Sequence, residues 1–166
     1  HKKQAFPIWK KFWFKNHPIE LLQEAQHKIN EVIEEQPNYG KALFLKAVIQ
    51  RNLNYNEESI LYLHQAKEND LFLYACNIYL AEYYIYKLKF EEALAYLLEI
   101  LPVYPQNKRV ILLLTLVQIE LFNFEEAKKY LNVLYQIIDN KFLVNLLDQN
   151  LNITEEITQN TTNRML

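Results

Sequence analysis

Four short acidic strings stand at one fixed interval along this chain. Gln23-Glu24-Ala25, Glu57-Glu58-Ser59, Glu91-Glu92-Ala93 and Glu125-Glu126-Ala127 each begin 34 residues after the one before, and Phe90 and Phe124 precede the last two. Four residues past each small residue comes Ile29, Leu63, Leu97 or Leu131. That offset puts an apolar side chain one helical turn further along the same face, beside a residue small enough for a second helix to come close. Twelve residues past each small residue come Pro37, Leu71, Pro105 and Asp139, so two of the four units carry proline where a second helix is expected to stop. A period of this length marks an array of stacked supersecondary units, and it restricts the fold more than composition can.

Composition closes off the alternatives. One glycine and five prolines in 166 residues leave almost no turn residues for hairpins, which excludes an all-β chain, while 51% apolar content is enough for a core. Helical spacing of apolar residues recurs over 41–53, 55–69, 73–87, 90–101, 108–121 and 124–138, and Pro18 suits the first turn of another helix over 19–35. Asn54, Asn107 and Asn123 stand beside helix starts, where an amide oxygen can accept from an open backbone N–H. The Glu pairs fall in first turns, where the helix dipole favours them.

The pattern resembles the tetratricopeptide repeat family, a helix-turn-helix unit of the same period with the signature W-x₂-L-G-x₂-Y, A-x₃-F and P. In the third unit Leu80, Ala81 and Tyr84 stand at the Leu, Gly and Tyr positions; the second unit has Lys46, Ala47 and Gln50 there, and the fourth Leu114, Thr115 and Gln118. The resemblance covers residues 19–139 well and 7–18 poorly, since Trp13 fills the small position of the first unit. It implies an all-α, right-handed α-solenoid with three full repeats over 40–139. A capping helix is expected over 140–149, from the apolar stretch Phe142 to Leu147, and a polar tail without structure over 150–166.

The resemblance further implies that the first helices of successive units line a concave surface. The side chains turned into it are then Lys41, Phe44, Leu45, Val48, Arg51 and Asn52 from the second unit. The third supplies Ile78, Tyr79, Glu82, Ile85 and Tyr86, and the fourth Arg109, Leu112, Leu113, Leu116, Ile119 and Glu120. This wall is apolar and aromatic, with Glu82 as the carboxylate at its centre. It suits an apolar peptide or helix of a partner protein. The competing reading is that the leucines of the fourth unit pack against neighbouring helices or a second copy. Family members that clamp acidic chaperone tails use several Lys, Asn and Arg groups. The frames available here, Lys10, Phe14, Leu45, Ala75, Tyr79 and Phe44, Val48, Tyr79, Arg109, Leu113, keep one basic residue each, too few to offset a buried carboxylate.

Other classes find little support. A net charge of -2 gives no footprint for nucleic acid. His1, His17, His27 and His64 lack metal-pair spacing, and no phosphate loop occurs, so neither an enzyme nor a metal or other cofactor is expected. The lone Cys76 rules out a disulfide framework and reads as a small buried hydrophobe. No apolar run reaches the ~18 residues of a membrane span. The start, Ala5 to Phe14, interleaves Trp9, Phe12 and Trp13 with lysines. This composition suits a membrane interface, and equally a cover for the open end of the first repeat. The chain opens on His1 and not on Met, which leaves an upstream targeting or spanning segment open, with cytoplasmic and membrane-associated settings both compatible. Two rival roles therefore stand beside the scaffold. One is a membrane-tethered assembly adaptor; the other is a client-holding chaperone, similar in length to the repeat-built chaperones of bacterial secretion systems.

Overall fold

The computed structural model describes residues 19–70 and 74–165. Among them are eight helices and no strand: α1 (Ile19–Glu35), α2 (Gly40–Asn52), α3 (Asn56–Asn69), α4 (Ala75–Tyr86), α5 (Phe90–Ile100), α6 (Lys108–Glu120), α7 (Phe124–Ile137) and α8 (Lys141–Met165). The chain divides into two compact units, one ending at Cys76 and the other beginning at Asn77.

Helices α2 to α7 form three helix-turn-helix pairs, and the period of the sequence is written into their turns. Asn54, Leu88 and Phe122 each hold a positive φ, of 68°, 57° and 59°, at the end of the first helix of a pair. The next residue's amide then reaches back five positions, Tyr55 to Gln50, Lys89 to Tyr84 and Asn123 to Gln118, at 2.8 to 2.9 Å. Three Schellman turns at one interval thus use up carbonyls that a helix end leaves open.

Each pair closes on small residues. In the first unit Ser59 Oγ donates to the Ala47 carbonyl at 2.8 Å, which is possible only where α2 and α3 nearly touch. Ala81 with Ala93, and Thr115 with Ala127, occupy the same places one and two periods on, all fully buried. Leu63, Leu97 and Leu131, expected one turn beyond, are buried in every pair. The single glycine, Gly40, opens α2 where a Cβ would lie 2.8 Å from Asp70 Cβ and 3.1 Å from the Ala66 carbonyl oxygen, so the start of α2 rests on the end of α3. Between α4 and α5 the rings of Tyr84 and Tyr96 stack at 5.6 Å, and buried Asn77 donates to the Tyr96 carbonyl at 3.2 Å. In the second unit α6 packs on α7, and α8 lies against both.

Several expectations change. Helix α5 ends at Ile100, within a residue of the expected 90–101, but the proline that stops it is Pro102, which has no N–H to continue the ladder, and not Pro105. Asn107 caps with its side chain, its Oδ1 accepting from the Arg109 and Val110 amides at 3.1 Å. Asn123 instead donates to Gln118 Oε1 at 2.8 Å, and Asn54 supplies the left-handed turn. The largest change is at the end. The helix expected over 140–149 runs through the segment expected to lack structure, for 25 residues in all. Leu151 is buried there, Glu155 pairs with Lys128 at 3.0 Å, and the threonines return their hydroxyl protons to carbonyls one turn back, as Thr158 does to Thr154. Those bonds keep the hydroxyls satisfied without breaking the helix, which the buried Leu151 and the Glu155–Lys128 pair hold in place.

Candidate functional site

The first helix of each pair leaves one arc only partly covered, and it is the same arc by repeat position. On α2, Ala42, Leu43, Ala47, Ile49 and Gln50 are buried, while Phe44, Val48 and Arg51 are half-buried and Leu45 is 49% exposed. On α4 the buried side holds Cys76, Asn77, Leu80 and Ala81. Ile78, Tyr79 and Glu82 are half-buried on the other side, and Tyr86 is 78% exposed. On α6 the buried arc runs through Val110, Ile111, Leu114, Val117 and Gln118, leaving Leu112, Leu113 and Leu116 half-buried and Arg109 exposed. Phe44, Ile78 and Leu112 share one repeat position, as do Leu45, Tyr79 and Leu113, and Val48, Glu82 and Leu116. Apolar residues on both sides of a helix mean that packing within its own pair covers only part of them.

Two of the sequence-based assignments change. Ile119, expected on the uncovered wall, is buried with Ala127 and Leu151, because α8 extends far enough to cover that corner of α6. Glu82, expected as a lone carboxylate, is joined by Arg109, whose Nε donates to Glu82 Oε1 at 2.6 Å and whose Nη2 contacts the same oxygen. The guanidinium also lies over the Tyr79 ring, 5.2 Å from its centroid. Tyr79, Glu82 and Arg109, from α4 and α6, are thus the assigned residues that the second unit brings into mutual contact. The cluster pairs the carboxylate and leaves a surface of rings, leucine side chains and an ion pair whose arginine stays in water. Phe44, Leu45, Val48 and Arg51 lie on α2 in the first unit. Trp9, Phe12 and Trp13 lie outside the described residues.

Among the described residues no group of three or more His, Cys, Asp or Glu side chains is placed to hold a metal ion, and no helix is long and apolar enough to cross a membrane. Burial pushes the Cys76 thiol up to about 12, far from the range of a reactive thiolate. A scan against protein-family models and a search of curated proteins each find no match to this chain. The α8 segment carries a feature that sequence reasoning missed, a second apolar stripe. Its signal was the four-residue spacing of Phe142 to Leu146 in the apolar stretch and of Ile153 to Ile157 in the polar tail.

Proposed function

We propose that this chain is a tetratricopeptide-like scaffold, a right-handed solenoid closed by its last helix, that binds an apolar peptide or helix of a partner protein along the first helices of its repeats. One observation carries the reading: on each of α2, α4 and α6 the same arc by repeat position is only partly covered by packing, with Phe44, Tyr79, Leu113 and Leu116 half-buried and Leu45 and Tyr86 exposed. Tyrosine suits such a wall because its ring is apolar and its hydroxyl can stay wet. The Arg109–Glu82 pair supports an apolar ligand, since it removes the isolated carboxylate that such a ligand would have to desolvate. No catalytic step is part of this function.

The test is comparative capture from source-cell lysate with the wild-type chain, a Leu45→Asp, Leu113→Asp chain and a Tyr86→Asp chain, each checked for helix content by circular dichroism. A protein retained by wild type and lost from both variants at unchanged helicity identifies the ligand and its place. Tyr86 is mostly in solvent, so its loss of binding is not a folding effect. Equal recovery on all three chains would overturn the assignment.

A further inference from the structure

Helix α8 is apolar on two opposite sides. Val144 and Leu151 are buried where it packs on α6 and α7, whereas Phe142, Leu146, Ile153 and Ile157 form a stripe on the other side, 71, 46, 57 and 60% exposed, with Leu143 at its edge. A terminal element of a repeat array ordinarily turns a polar face to water. Four large apolar side chains in one line do not fit that role.

The stripe has an internal symmetry that points to its occupant. Its intervals are four, seven and four residues, so it reads the same from either end. Phe142 and Ile153, and Leu146 and Ile157, are each eleven residues apart, a period that keeps the stripe nearly parallel to the helix axis. A two-fold contact between identical chains requires a surface that complements itself. Laying a second α8 antiparallel, with the axis between Gln149 and Asn150, sets Phe142 against Ile157 and Leu146 against Ile153 twice over. At the centre the Gln149 amide then faces the Asn150 amide of the other copy, each with donors and an acceptor. Asn145 and Asn152 make the flank neutral, and Glu156 comes opposite Leu143, not opposite its own copy. No like charges are brought together.

The area fits a weak, reversible contact. The five side chains are between 38 and 71% exposed. Buried in full they offer on the order of 500 Å² per copy, or about 1,000 Å² for two, below the ~1,200 Å² of a stable interface and in the range of a transient one. We infer that α8 is the interface of an antiparallel homodimer, formed by the stripe from Phe142 to Ile157 and independent of the surface on α2, α4 and α6.

Sedimentation equilibrium of the full chain over a concentration series tests this. The wild type shifts from monomer to dimer as concentration rises. Leu146→Asp and Ile153→Asp, both at exposed positions, remain monomeric with unchanged helix content. Register is read separately in a Cys76→Ala background under mild oxidant. Asn150→Cys forms a disulfide-linked dimer, while Asn160→Cys does not, because the antiparallel register holds it roughly 30 Å from its own copy at ~1.5 Å per residue. A wild type that is monomeric throughout overturns the proposal and leaves the stripe to another protein or to a lipid surface. A dimer that survives both Asp variants, or cross-linking at both cysteines, overturns it equally.

Discussion

Leu88 holds φ 57° with its side chain in solvent, a backbone conformation that costs an L residue about 1 to 2 kcal/mol and costs glycine nothing sterically. Asn54 occupies the same place one period earlier without that strain, since asparagine tolerates it. Leu88→Gly is therefore expected to raise stability by about 1 kcal/mol in urea denaturation. Phe122→Gly should gain less, because the Phe122 ring sits edge-on to Phe124 at 6.1 Å and that contact is lost. The sign reverses at Gly40, where a methyl would meet the backbone oxygen of Ala66 and the Cβ of Asp70, neither of which can swing away. Gly40→Ala is expected to cost about 1 to 3 kcal/mol, measured the same way. Cys76 adds a pH dependence. Burial raises its folded pKa to about 12, above the ordinary ~8.5 of an unfolded thiol. The fold thus favours the neutral form, a contribution fully present below the unfolded value and lost as pH climbs from there toward 12. The stability difference between wild type and Cys76→Ala should be flat through neutrality and shrink in alkaline solution.

At the scale of the element, two helices break the regularity of the repeat. Helix α4 buries Asn77 where α2 has Leu43 and α6 has Ile111, and its Oδ1 is enclosed without a hydrogen bond among the described residues. An enclosed acceptor left unmade costs about 1 to 3 kcal/mol. Asn77→Leu restores the repeat's own residue and is expected to raise the urea midpoint. Helix α8 departs in the other direction, carrying order into a stretch of asparagine and threonine. Removing residues 150–166 takes away the buried Leu151 and the Glu155 partner of Lys128. The truncated chain should lose about 2 to 3 kcal/mol, the worth of a buried leucine. A segment without structure would leave stability unchanged, so the same measurement separates the two descriptions.

For the molecule as a whole, the proposed functions rest on apolar surface that the helix pairs cover only in part. The arc on α2, α4 and α6 repeats with the sequence period, and the stripe on α8 lies outside it. A charge at Leu113 is expected to abolish partner binding and leave the monomer–dimer equilibrium alone. A charge at Ile153 should do the reverse, and the two readouts together show whether the surfaces act separately.

The period alone determined the helix pairs, because a fixed interval of small, apolar and acidic residues dictates which faces meet and where each helix begins. Helices α2 to α7 end within two residues of where apolar spacing placed them. The arc of candidate binding residues was legible for the same reason, since residues at one repeat position share one environment. What the sequence could not supply were relations between positions outside the period. The Arg109–Glu82 pair joins two helices across 27 residues. The burial of Ile119 depends on how far α8 extends, and that length depends on Leu151 and Lys128 finding each other's helices in space. Asparagine and threonine carry no helical signal of their own. They are helical here because tertiary packing holds one side of the helix, with Leu151 buried and Glu155 on Lys128, so the tertiary structure, and not local propensity, decided that this stretch is helical and which apolar face it leaves in water.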